Sequence, residues 1–111
     1  MAILVKNIIP RKFAENAQTG QYTAVNAKAV IDKFTATNVT AAPVTINVHL
    51  VAGGGSAGTS NVVVFNKAIQ VGETYTFPEL VGQLLEGGGF ISTVASAASA
   101  LVISATGREI T

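Results

Sequence analysis

Val44-Thr45-Ile46-Asn47-Val48-His49-Leu50-Val51 is the stretch on which the fold turns. Val44, Ile46, Val48 and Leu50 fall on one side of an extended chain, and Thr45, Asn47, His49 and Val51 on the other. A period of two belongs to a β-strand that a core covers on one face. Toward the N-terminus, Ala27 to Asn38 (AKAVIDKFTATN) sets Val30, Asp32, Phe34 and Ala36 against Ile31, Lys33, Thr35 and Thr37. A second strand follows from the same period, with one discord: charged Asp32 shares a side with Val30 and Phe34. Either a β-bulge breaks the alternation or Asp32 sits near a sheet rim. The connection around Thr40 to Pro43 is short and turn-rich, so the two strands are expected to pair as an antiparallel hairpin.

Toward the C-terminus the glycine-serine stretch Gly53 to Ser60 reads as a flexible loop. Asn61 to Ile69 and Glu73 to Phe77 read as further strands, separated by a turn at Gln70-Val71-Gly72. In PELVGQLLEGGG, Leu80 and Leu84, and Val81 and Leu85, recur at helical spacing behind Pro78, which predicts one short helical turn near 78–85. Gly87 to Gly89 end it, Phe90 to Ala95 resumes the alternation, and Leu101 to Ile110 closes the chain after the small-residue turn SAASA. Seven or eight short strands without a βαβ pattern predict an all-β fold, an antiparallel β-sandwich of jelly-roll-like or immunoglobulin-like kind. Residues 1–26 read as an N-terminal arm, or an edge strand plus a loop, and 27–111 as the sandwich, within one domain.

At 111 residues the chain has room for one core. It contains no cysteine, so disulfides, thiolate metal sites and thiol catalysis are excluded. Net charge is +1, which provides no strong field toward nucleic acid or an anionic membrane, and neither is expected as a partner. Charged residues make up 12% of the chain and apolar ones 49%, against about 25% charged in an average globular protein. A surface this poor in charge suits a protein that works against neighbouring chains. The opening MAILVKNIIP meets Lys6 and Pro10 too early for the apolar core of a signal peptide, so secretion is not expected.

Few residues offer chemistry. His49 is the single histidine, and beside Thr45 and Asn47 it reads as a solvated or interface residue rather than a general base or metal ligand. Asp32, Glu73, Glu79 and Glu86 occur singly, without the paired-carboxylate cleft of a glycosidase; Glu79 reads as a first-turn acid. GGGSAGTS lacks the Lys-Ser/Thr ending of a phosphate loop and is followed by β-branched residues, so it reads as a hairpin linker. Asn38-Val39-Thr40 matches a glycosylation sequon but carries little weight without a secretory signal. Arg11 and Lys12 beside Phe13 form a small basic-aromatic patch, better suited to an acidic groove on a partner chain than to phosphates, which recruit many cations. No catalytic residue, cofactor or metal is expected.

DKFTATNVTAAPVTINVHLV from Asp32, GETYTFPELVGQLLEGGGFIS from Gly72 and the closing SATGREIT resemble small structural proteins encoded in tailed-bacteriophage genomes. The resemblance covers about the C-terminal four-fifths and lies in core and turn positions: a strand ending Thr37-Asn38, a valine-rich strand, the Gly-Ser loop, the Gly72-Glu73-Thr74 turn and Gly107-Arg108-Glu109-Ile110-Thr111. It implies a virion protein that is not an enzyme, made in the host cytoplasm. The favoured place is the capsid surface, as a decoration or cement protein holding the major capsid protein and forming a homo-oligomer, with a trimer favoured. The alternative is a tail, neck or fibre module contacting a host receptor or other tail proteins. On this reading Ile3, Leu4, Ile8, Ile9, Arg11, Lys12 and Phe13 are the candidate partner contacts.

Overall fold

The computed structural model describes residues 2–111. Among these the chain forms strands and turns only: β1 (Ile3–Phe13), β2 (Thr19–Thr23), β3 (Lys28–Asn38), β4 (Val44–Val51), β5 (Val62–Ile69), β6 (Thr74–Tyr75), β7 (Leu84–Leu85), β8 (Phe90–Ala95) and β9 (Leu101–Ile110). One sheet has the order β1-β9-β3-β6, with β7 also on β3, and the other β2-β8-β4-β5. Every pairing is antiparallel. Successive strands change sheet at every step except the β4–β5 hairpin and the β6–β7 pair that flanks β3. That wiring is a jelly roll, in which the chain laces two sheets together rather than completing one before starting the other. Between the sheets lie Phe34, Phe77, Ile46, Ile91, Leu101 and Ile103, all fully buried, and their removal from water is the main force holding the sheets together.

The N-terminal segment takes its edge-strand form. β1 runs the length of β9, and β2 pairs with β8, so residues 3–23 are built into both sheets. The expected β3–β4 hairpin is instead an arch between sheets, because β9, β6 and β7 occupy the two edges of β3. Asn38 shapes that arch. It is 1% exposed, and its Nδ2 donates to the carbonyls of Ala42 (2.8 Å) and Ile69 (2.9 Å) while Oδ1 accepts from Thr40 N (2.9 Å) and Thr40 Oγ1 (2.7 Å). A side chain so fully engaged satisfies its buried polar atoms, and it leaves the Asn38 sequon inaccessible in the folded protein.

The helical turn expected near 78–85 resolves into two tight turns, closed by Leu80 N to Phe77 O (3.0 Å) and Gln83 N to Leu80 O (3.2 Å). Gly82, at φ +84°, reverses the backbone before a helix can propagate. Leu80 and Leu85 consequently point inward while Leu84, one helical turn after Leu80, is exposed. Phe77 adopts φ +44° ahead of Pro78, a conformation costing an L-residue about 1–2 kcal/mol. Edge-to-face packing on Phe34 (4.8 Å) and Tyr75 (4.7 Å), together with complete burial, offsets that cost.

The discord at Asp32 is a bulge. The β3–β9 register passes from Ile31↔Gly107 to Lys33↔Thr106, so Asp32 is an extra residue, and it faces outward to a two-pronged ion pair with Arg108 (2.9–3.1 Å). On the other side of β9, β1 shifts between Lys6↔Gly107 and Ile9↔Ala105, which turns both Ile8 and Ile9 into the core. Gly107 lies where the three strands crowd. A Cβ there would overlap the Val30 carbonyl oxygen and meet Ile8 Cδ1 at 3.3 Å. Gly107→Ala is therefore expected to destabilise the domain by about 3 kcal/mol, read as a fall of roughly 12 °C or more in Tm. Gly58→Ala, where a Cβ meets nothing within 4 Å, should leave the melt nearly unchanged.

Candidate functional site

β1 is the outer strand of its sheet, and its two halves differ. From Ile3 to Lys6 the pairing with β9 is regular. From Lys6 to Lys12 two register shifts and Pro10 distort the strand, devices that blunt an edge against further pairing. The regular half therefore keeps an open ladder edge, and it carries Ile3, Leu4 and Val5 at 58%, 57% and 71% exposure. Consecutive strand residues point to opposite faces. All three are exposed, so both faces of this half of the strand present apolar area.

The seven sequence-derived contact candidates divide accordingly. Ile3 and Leu4 lie on the open edge. Ile8 and Ile9 are 4% and 1% exposed, so the bulge commits them to the core and withdraws them from any partner. Phe13 is half exposed at the far end of the strand, opposite Val102. Lys12 is used within the chain, bound to Glu15 at 2.9 Å. Arg11 is exposed on the outer sheet face, beside Lys33 of β3. Sequence reasoning missed Val5, the most exposed large apolar residue of the edge; its place in the unbroken run ILV was the available signal.

His49 is a strut and not a surface residue. It is 7% exposed, and its Nδ1 lies 3.1 Å from the Gly58 carbonyl and 3.0 Å from Asn61 Oδ1. Both neighbours are acceptors, so Nδ1 carries the proton. Asn61 also accepts from Gly58 N (3.0 Å) and donates to Ser56 O (2.9 Å), so the glycine-serine loop is wound around this pair. Among the described residues no three side chains of His, Asp or Glu converge as a metal site would require.

Two carboxylates tie β1 and its following loop to β2. Glu109 accepts from the Tyr22 hydroxyl and lies 3.5 Å from Lys6 Nζ. The Tyr22 bond, then the Lys6 charge, lowers the Glu109 pKa, while burial and then that same bond raise the Tyr22 phenol. Glu15 is lowered by its bond to Lys12 and next by Gln21, whose Nε2 also donates to Thr93 Oγ1 (3.0 Å). Comparison of the chain with family models, with curated proteins and with solved structures finds no match.

The two lowered carboxylates give a pH prediction. A carboxylate held below its ordinary value of 4.5 adds stability above that pH, and the contribution is lost as pH falls through the lowered value. Thermal melts from about pH 7 to about pH 3 should lose stability on the acid side. The combined variant Tyr22→Phe, Glu15→Gln should show a shallower acid limb. An acid limb of unchanged steepness would remove these pairs as its cause.

Proposed function

We propose that this protein is a structural component of a tailed-bacteriophage virion, a decoration or cement protein that binds the head through protein–protein contacts made by the open half of β1. The observation that carries the reading is the regular, unprotected edge at Ile3, Leu4 and Val5. An exposed edge with apolar side chains is a template for another chain, whose backbone completes the ladder and whose side chains cover the apolar ones. The low charge content acts in the same direction, since burying such a surface costs little desolvation. A laced jelly roll suits this work: its strands are tied across two sheets without any disulfide, so an edge strand can be loaded against a packed core. The resemblance of the core and turn residues to phage structural proteins supplies the virion context, and the major capsid protein is the partner in this reading.

The test mixes purified protein with undecorated heads and, separately, with tails, and measures co-sedimentation. Binding to heads is expected. Ile3→Thr, Leu4→Thr, Val5→Thr keeps strand-forming residues on the edge while removing most of its apolar area. That variant should melt close to the parent and bind heads about tenfold more weakly or worse. Co-sedimentation with tails alone would move the protein to the tail, neck or fibre; unaltered head binding by the triple variant would place the contact elsewhere on the surface.

A further inference from the structure

The chain has seven Lys and Arg residues. Four are paired with carboxylates: Lys6 with Glu109, Lys12 with Glu15, Lys28 with Glu86 and Arg108 with Asp32. Lys67 lies over the Tyr75 ring, 4.6 Å from its centroid. The remaining two, Arg11 and Lys33, have no carboxylate partner among the described residues, and they meet at one cavity of about 200 Å³ on the outer face of the β1-β9-β3 sheet. Its other lining residues are Thr35 of β3 and Ser104, Ala105 and Thr106 of β9. Arg11 and Lys33 come from the two strands flanking β9, whose backbones stand roughly 10 Å apart, so their long side chains can close on a small ligand held over β9.

The floor is arranged for an acceptor. Thr35 Oγ1 and Ser104 Oγ are 3.1 Å apart and share one proton donation, which leaves the other hydroxyl proton of the pair free to point outward. Thr106 adds a third hydroxyl. No carboxylate lines the cavity, and Asp32, next to Lys33 in sequence, is held by both prongs of Arg108. Guanidinium, ammonium and hydroxyl donors around a partly enclosed space complement a group that only accepts hydrogen bonds and is negatively charged.

We infer that this cavity is an oxyanion site, taking a phosphate or carboxylate group between Arg11 and Lys33 above the Thr35–Ser104–Thr106 hydroxyls. The bulges set its geometry. The extra residue at Asp32 brings Lys33 to the outer face beside Thr35, and the shift between Ile9 and Lys12 brings Arg11 over Ser104. The site is remote from Ile3, Leu4 and Val5 along β1, so it stands or falls independently of head binding.

Isotope-labelled protein is titrated with inorganic phosphate and, separately, with acetate, each against chloride at matched ionic strength, while backbone amide shifts are followed. Saturable shifts are expected at Lys33, Thr35, Ser104 and Thr106, with affinity weakened at least about tenfold in Arg11→Gln, Lys33→Gln. Both side chains are exposed and make no side-chain hydrogen bond or ion pair among the described residues, so that variant should fold and, relieved of like-charge repulsion, melt no lower than the parent without added anion. Phosphate should raise the parent's Tm and leave the variant's unmoved. Saturation by acetate as well would point to a protein carboxylate as the source of the anion, and saturation by phosphate alone to a phosphate group. Shifts that grow without saturating in both titrations, or that persist in the double variant, would overturn the site.

Discussion

The crowding of three strands at Gly107 is the constraint from which much else in this jelly roll follows. β9 runs between β1 and β3, and at Gly107 its backbone comes so close to the Val30 carbonyl and the Ile8 side chain that no Cβ fits. Each neighbour accommodates the pinch by a bulge. On β3 the bulge expels Asp32, which Arg108 holds. On β1 it turns two successive isoleucines inward and closes the core at that point. A bulge also resets the alternation beyond it, so the face on which Lys33 emerges follows from this close approach, while a second register shift, between Ile9 and Lys12, sets the face of Arg11.

Polar side chains hold the connections. Asn38 binds the β3–β4 arch to the end of β5 through Ile69, and its backbone carbonyl accepts from Gly72 N (3.1 Å) in the β5–β6 turn. At the opposite end His49 does comparable work for the loop from Gly53 to Ser60. Residues that invite a chemical reading in isolation, the single histidine and the sequon asparagine, are thus spent inside the fold. Buried side-chain hydrogen bonds of this kind stiffen a domain and specify one conformation.

What remains for other molecules lies outside the sheets. The open edge at Ile3, Leu4 and Val5 offers backbone donors and acceptors beside apolar area. The Arg11–Lys33 cavity offers charge and hydroxyl donors. The two surfaces call for different chemistry, an extended chain and an oxyanion; the pairing of β1 with β9 sets the first, and the bulges of β1 and β3 against β9 together set the second. A strand that is regular in one half and bulged in the other thereby presents two kinds of surface on one element.

Local pattern determined the fold class. Alternation in Val44–Val51 and in Phe90–Ala95 is legible because a strand covered on one face has a period of two whatever it packs against, and the absence of cysteine needed no structure to read. The discord at Asp32 was legible as a choice between bulge and rim. Which sheet each strand joins was not, because pairing partners are far apart in sequence and a short connection serves a hairpin or an arch equally well; β9, β6 and β7 take the edges of β3, and Asn38 holds the resulting arch through a bond to Ile69, 31 residues away. The helical spacing of Leu80 and Leu84 yielded to Gly82, whose backbone angle appears only in the folded chain. Ile8 and Ile9 look like a sticky arm in sequence and are core in the structure. The bulge that turns them inward is imposed by β9 across the ladder, and a strand's own residues carry no record of the neighbour that crowds it.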